Sequence, residues 1–166
     1  MLMNKFAVIN FFLFQLVWFT CALLTEHASW FLLPLIALHF ALFKQRTRDF
    51  KLLPIASVGI SFDFLMFKLG ILTFNEGFFP AWLCLLWLMF VLSLNYSFDW
   101  LNKLNVFVNA LIGGIFGPLS YFAAVKFGAL GMGVAQTQFL FIYALGWALV
   151  MPLLIYLNNK PYYKLS

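Results

Sequence analysis

Long apolar runs occupy most of the chain, with short polar stretches between them. Each run is close to the ~20 residues that a helix needs to cross a bilayer. The chain is 65% hydrophobic and 9% charged, whereas a soluble domain is about half apolar and a quarter charged. The sequence therefore predicts a single all-α, polytopic transmembrane bundle of about six helices. The predicted helices cover roughly residues 6–24, 28–43, 52–70, 80–96, 106–126 and 138–157.

The distribution of lysine and arginine predicts how this bundle is oriented. With the N-terminus in the cytoplasm, Lys68 and Lys126 lie on the far side, and the other eight of the ten basic residues are cytoplasmic. The segment KQRTRDFK, residues 44–51, contributes most to this bias. We interpret it as a topology signal rather than as a contact with anionic lipid. Both termini are therefore predicted to be cytoplasmic, and the net charge of +5 gives no reason to expect nucleic-acid binding.

The chain lacks the motifs of common catalytic and metal sites. It contains no HExxH, no GxSxG and no phosphate-binding loop. Its two cysteines, Cys21 and Cys84, form no CxxC pair, and His27 and His39 are too few for a histidine-rich di-iron centre. We therefore expect no cofactor and no metal. An enzyme acting alone is disfavoured, whereas a lipid-binding accessory subunit stays open.

Asp63 stands out because it is an acidic residue in a segment whose other residues are mostly apolar, SVGISFDFLMFKLG. A charged group inside a bilayer costs ~2.5–3.5 kcal/mol on insertion scales, so such residues usually face protein. On a helix, Asp63 shares its face with Gly59, where a small residue lets another helix approach. Two interpretations stay open. Asp63 is either a protonated acid that holds helices together or a functional contact to a proton or ligand.

Depth along the helices sorts the other intramembrane polar residues into two groups. We counted ~1.5 Å per residue from the predicted cytoplasmic boundary. The predicted mid-membrane polar layer consists of Asp63, Gln15, Ser120, Tyr121 and Tyr143. A shallower polar set consists of Asn10, His39 and Asn109.

The segment NALIGGIFGPLSY, residues 109–121, carries a GxxxG spacing at Gly113 and Gly117, followed by Pro118. One interpretation is a helix break at Gly117 and Pro118 that lines a cavity, as in transporters. The other is close helix packing with a proline kink, and we favour it because GxxxG is a weakly specific motif.

Four stretches of the chain together resemble a known family. They are NFFLFQLVW (10–18), SFDFLMFKLGILTF (61–74), FPAWLCLLWLMF (79–90) and FGPLSYFAAVKFGAL (116–130). They resemble the small bacterial inner-membrane proteins catalogued as domain of unknown function 2878, over roughly residues 6–150. Its motif residues would here be Asn10, Gln15, Asp63, Pro80, Trp82, Trp87, Gly117, Pro118 and Tyr121. No catalytic role is established for them.

The resemblance implies a location in the inner membrane of a Gram-negative bacterium. It also implies a gene neighbourhood that contains cyclopropane-type fatty-acid synthases and other lipid-modifying enzymes. The leading hypothesis is therefore an accessory factor in membrane-lipid modification or lipid stress response. Its expected partners are membrane lipids and a lipid-modifying enzyme or another membrane protein. The alternatives are a small proton- or cation-coupled carrier that uses Asp63, and a structural subunit of a membrane complex.

Overall fold

The structure is a computed structural model that describes residues 5–164, and it consists mainly of α-helices. The helices are α1 Lys5–Leu24, α2 Ala28–Leu42, α3 Arg46–Leu52, α4 Ala56–Lys68, α5 Ala81–Ser93, α6 Val106–Lys126, α7 Gln136–Asn158 and α8 Pro161–Lys164. Short 3-10 turns occupy Thr25–His27, Leu53–Ile55 and Asp99–Lys103. The predicted all-α class is confirmed, with one small addition. The two-residue strands β1 Leu72–Thr73 and β2 Gly131–Met132 pair in antiparallel fashion.

Four stretches of the described chain are long and apolar enough to cross a membrane: Lys5–Leu42, Arg46–Lys68, Val106–Lys126 and Gln136–Asn158. The first stretch comprises two helices, α1 and α2, which pack against each other. The chain reverses between them at Thr25, whose φ is 37°. Helix α5 is also apolar but has 13 residues, which is about 20 Å of helix. The chain thus has the apolar helices of a membrane protein.

The observed boundaries differ from the predicted ones at two helices. The stretch predicted as one helix at 52–70 begins earlier and is divided into α3, the turn Leu53–Ile55, and α4. Pro54 lies in that turn and lacks the N–H that would continue a regular α-helix. The helix predicted at 80–96 ends at Ser93, whose carbonyl accepts the backbone N–H groups of Tyr96 and Phe98. Helix α6 matches its predicted range, 106–126.

Helices α6 and α7 pack against each other along their length. A Cβ added at Gly117 would lie 2.1 Å from the Trp147 ring, and one at Gly113 would lie 2.4 Å from the Trp147 carbonyl. Helix α6 continues through Pro118 as one α-helix. Of the two interpretations of Gly117 and Pro118, the helix break is therefore wrong, and the favoured one, close packing, agrees with the structure. These glycines serve close packing, and the neighbouring helix supports the backbone where proline removes a hydrogen bond.

Helix α5 is the central element of the other half of the bundle. It packs against α1, α2 and α4, while α4 also contacts α7. The core includes large side chains of α5, namely those of Trp82, Trp87 and Met89. This arrangement brings Asp63 of α4 against side chains of α5 and α6.

Candidate functional site

Asp63 is fully buried and joins three helices. The Trp87 indole Nε1–H on α5 donates to Asp63 Oδ2 at 2.6 Å. The Tyr121 hydroxyl on α6 donates to the same oxygen at 2.5 Å. A buried acid with two donors from neighbouring helices is held in one orientation, so Asp63 is fixed at the junction of α4, α5 and α6.

Gly59 makes room for the indole that reaches Asp63. It lies one turn before Asp63 on α4, and a Cβ there would lie 2.2 Å from the Trp87 ring. The sequence analysis named Trp87 only as a motif residue of the resembled family and missed its hydrogen bond. The available signal was the spacing of a glycine and an acid four residues apart on one helix face.

Aromatic rings surround this junction. Trp87 stacks on Trp147 with centroids 5.1 Å apart and an interplanar angle of 18°. Tyr121 contacts Tyr143 at a centroid distance of 4.4 Å. Three buried polar atoms here have no hydrogen-bond partner among the described residues: Asp63 Oδ1, the Tyr143 hydroxyl and Trp147 Nε1. The junction therefore has unused hydrogen-bonding capacity.

A groove of about 660 Å³ lies in front of this junction. Its walls come from α1, α5, α6 and α7, together with Phe98, Trp100, Leu101, Ala129 and Leu130. We call it the α1/α6 groove, because these two helices form its rims. Trp87, Tyr121 and Trp147 form part of its inner wall, while Asp63 lies behind them and does not line it. Other aromatic residues of the lining are Phe14, Trp18, Trp82, Phe98 and Trp100.

The predicted mid-membrane layer is divided between the junction and the groove. Tyr121 binds Asp63 directly, and Tyr143 packs behind it. Gln15 and Ser120 instead line the groove. The Trp18 indole Nε1–H donates to Ser120 Oγ at 3.0 Å, which ties α1 to α6 across the groove.

The residues of the shallower polar set lie in three separate places. Asn10 Oδ1 accepts the backbone N–H of Ser97 at 3.2 Å and its hydroxyl at 2.6 Å. The Asn109 side-chain amide donates to the Leu101 carbonyl at 3.1 Å. His39 binds neither asparagine. Each of these side chains instead fixes a different connection between helices.

His39 belongs to a buried cluster around Asp49. His39 Nε2 lies 3.2 Å from Asp49 Oδ2, and the Tyr96 hydroxyl donates to the same oxygen at 2.7 Å. The Arg48 guanidinium lies 3.5 Å from Asp49 Oδ1 and 5.2 Å from the Tyr96 ring centroid. Burial, and then the hydrogen bond to Asp49, raise the pKa of Tyr96 above its usual value, so Tyr96 stays a donor.

The sequence analysis missed the roles of Asp49 and Tyr96. Asp49 was part of a segment interpreted only for its basic residues, although it is the single acid in KQRTRDFK. An acid among four basic residues is a signal for an internal partner, but nothing in the sequence indicates which tyrosine that partner is. We call this group the Asp49 cluster, consisting of His39, Arg48, Asp49 and Tyr96.

Within residues 5–164, the structure contains no group of three or more His, Cys, Asp or Glu side chains that could hold a metal ion. Both cysteines are free, and Cys21 is buried whereas Cys84 is partly exposed.

Comparison with known proteins gives one match. Residues 7–153 match the family described as protein of unknown function (DUF2878). No curated protein and no solved structure matches the chain.

Proposed function

The chain belongs to the DUF2878 family of proteins of unknown function, and we propose its role from the α1/α6 groove. We propose that this groove binds the acyl chain of a membrane lipid. The protein would then be a non-catalytic accessory factor in fatty-acyl modification of membrane lipids or in lipid stress response. The observation that carries the proposal is a groove of about 660 Å³ with a mostly apolar, aromatic-rich wall. Ligand pockets typically measure about 300–1,000 Å³.

The chemistry of the lining favours a hydrocarbon chain as the ligand. The groove is lined by no Asp, Glu, Lys, Arg or His side chain of the described residues. A charged group placed against such a wall would lose its hydration without gaining a partner. Acyl chains lose nothing there, since they gain dispersion contacts with the ring faces.

The rims of the groove provide a route for a lipid chain. Phe11 and Phe19 on α1, and Phe116 and Leu119 on α6, line the groove and are also exposed. In a membrane these side chains contact lipid. A lipid chain can therefore enter sideways between α1 and α6, without leaving the bilayer.

We propose that six helices cross the inner membrane of a bacterium, with both termini in the cytoplasm. Successive helices α1, α2, α4, α5, α6 and α7 then alternate in direction. Lys68 ends α4 and Lys126 ends α6, so these two residues share the far side. The positive-inside rule favours this orientation, because the remaining basic residues then lie together on the cytoplasmic side. One of these basic residues is Lys164, whose side chain lies outside the part of the structure that is described.

Cysteine labelling tests this topology. In a variant without Cys21 and Cys84, a new cysteine at Asn75 should react with a membrane-impermeant maleimide in spheroplasts. A cysteine at Lys103 should react only after the membrane is permeabilised. Labelling of both positions in intact spheroplasts would contradict the six-helix topology.

The lipid role is tested by the phospholipid fatty-acid profile of cells with and without the gene, grown under membrane stress. We expect a modified acyl chain to be missing or to accumulate in cells that lack the gene. Ala124 lines the groove, so Ala124→Phe should obstruct it and fail to restore the profile. Native mass spectrometry of the purified variant should also find less retained lipid.

A matched control is Leu111→Phe, which adds an aromatic ring to the same helix at a position that is 63% exposed and outside the groove. It should restore the profile as the wild-type protein does. An identical profile with and without the gene would argue against the accessory role. Lipid retention that Ala124→Phe leaves unchanged would argue against the groove as the binding site.

A second candidate function is a proton- or cation-coupled carrier centred on Asp63. The observation that favours it is that Asp63 Oδ1 and the nearby Tyr143 hydroxyl are buried without a hydrogen-bond partner among the described residues. Asp63→Asn keeps an oxygen acceptor for Trp87 and Tyr121 but cannot exchange a proton. If the protein is such a carrier, Asp63→Asn should abolish proton- or cation-coupled uptake into proteoliposomes while the protein stays folded. Uptake equal to that of the wild type would remove the carrier hypothesis.

A further inference from the structure

We propose that the α1/α6 groove prefers acyl chains that carry an uncharged hydrogen-bonding oxygen, such as a hydroxyl or keto group, near the middle of the chain. This inference rests on the proposed function of the groove as an acyl-chain site. It names the chemical class of chain that the groove selects.

The polar residues of the groove lie near the middle of their helices. Gln15 is 10 residues from the first residue of α1, Lys5, and Ser120 is 14 residues from the first residue of α6, Val106. These separations correspond to about 15 Å and 21 Å along the helices. On both sides of these positions the lining is apolar or aromatic, for example at Phe11 and Ala22 on α1. We call Gln15 and Ser120 the polar step of the groove, because apolar lining lies on both sides of them.

Gln15 has unused hydrogen-bonding groups at this polar step. The structure gives its side-chain amide no hydrogen bond to any residue that it describes. An unsatisfied amide that faces hydrocarbon costs free energy, since no bulk water is available at this depth. A ligand oxygen that reaches Gln15 removes this cost, whereas a plain methylene chain leaves it in place.

Ser120 adds a second group to the step. Its Oγ accepts the Trp18 indole N–H, and among the described residues it donates no hydrogen bond of its own. A hydroxyl or keto oxygen on the ligand can accept that proton, while Gln15 can both donate and accept. Because no charged side chain of the described residues lines the groove, the step suits a neutral oxygen and disfavours a carboxylate or phosphate at the same depth.

The test uses the full-length protein in nanodiscs and two competing probes. One is phosphatidylglycerol with plain octadecanoyl chains, and the other is the same lipid with a hydroxyl near the middle of one chain. Native mass spectrometry measures the ratio of the two bound lipids. One additional hydrogen bond should give the hydroxylated lipid about a threefold to tenfold advantage. Gln15→Leu should remove this advantage, so that the two lipids are retained in about equal amounts.

Two further variants make the test specific. Thr20→Val removes a hydroxyl from the same helix, but that hydroxyl donates to the Leu16 carbonyl and does not line the groove. It should keep the preference. Gln15→Asn retains the amide on a shorter side chain and should keep part of the preference, so it remains informative if Gln15→Leu folds poorly.

Each outcome has a separate meaning. Equal binding of the two lipids to the wild-type protein would overturn the inference about the polar step, while the groove would remain an acyl-chain site. A preference that persists in Gln15→Leu would overturn the role of Gln15. Binding of neither lipid in the groove, judged by an unchanged signal in Ala124→Phe, would overturn the proposed function as well.

Discussion

Trp87 contacts Gly59 so closely that a Cβ at this glycine would lie 2.2 Å from the indole ring. One turn further along α4, the same indole donates its N–H to Asp63. The size of residue 59 therefore controls a polar contact at residue 63. Packing and hydrogen bonding at the junction are parts of one arrangement.

Gly59→Ala should destabilise the protein because the new methyl group pushes Trp87 away from Asp63. Overpacking of this kind typically costs about 1–3 kcal/mol. The unfolding free energy in detergent, measured by denaturant titration, would check this. Ser61→Ala is the control, since Ser61 is exposed on the same helix and its replacement should change stability by less than about 0.5 kcal/mol. A Gly59→Ala protein as stable as the control would show that Trp87 has room to move.

Tyr121→Phe should weaken the junction because Asp63 loses one of its two donors. Hydrogen bonds inside membrane proteins contribute about 0.6 kcal/mol on average and up to about 1.7, and we expect this one near the upper end because no water replaces the lost donor at the buried Asp63. A double-mutant cycle of Tyr121→Phe with Asp63→Leu would measure the coupling between the two side chains. Additive effects of the two changes would contradict the hydrogen bond as a stabilising contact.

Much of the fold can be predicted from local features of the sequence, namely its apolar runs and the spacing of a few residues. The apolar runs indicate where helices lie, because a backbone in lipid must satisfy its own hydrogen bonds. The placement of Gly59 and Asp63 on one face indicates that Asp63 packs against another helix. Gly113 and Gly117 similarly indicate a close neighbour, which proved to be α7.

Partners between distant helices were not predictable in the same way. Depth counting grouped His39 with Asn10 and Asn109, but His39 binds Asp49, ten residues later along the chain. Depth is one coordinate of a bundle, whereas contact also depends on how each helix is rotated and which helices are neighbours. Neither property can be read from composition or spacing. For the same reason, an aromatic-lined groove could not be distinguished from ordinary packing in the sequence, since it exists only once α1 and α6 are placed around α5 and α7.

Asp49→Ala should be among the more destabilising single substitutions in this protein. Asp49 is fully buried, and its removal leaves His39 and Tyr96 without their shared acceptor. Breaking a buried polar cluster in this way costs about 2–4 kcal/mol. Thermal unfolding in detergent would measure it.

The matched control for Asp49→Ala is Asp99→Ala, which removes an exposed carboxylate that pairs with Lys103 four residues later. Exposed pairs of this kind contribute little, so its unfolding temperature should stay close to that of the wild type. Equal losses in the two variants would mean that the Asp49 cluster does not stabilise the connection between α2, α3 and the turn after α5.

Ser120→Ala should increase the rate at which the lipid proposed for the groove exchanges, and should lower stability by no more than about 1 kcal/mol. The hydroxyl of Ser120 accepts the Trp18 indole N–H, which ties the two rims together. Trp18 also makes an edge contact with Phe127 at 6.1 Å between centroids, so the rims keep an apolar contact when the hydrogen bond is lost. The Trp18–Ser120 hydrogen bond contributes about 1 kcal/mol. If this bond must break before a lipid chain leaves, its loss should make exchange roughly fivefold faster.

Stopped-flow exchange of a fluorescent lipid would measure this rate, with Thr20→Val as the control. An unchanged exchange rate in Ser120→Ala would mean that lipid leaves the groove without separation of α1 from α6.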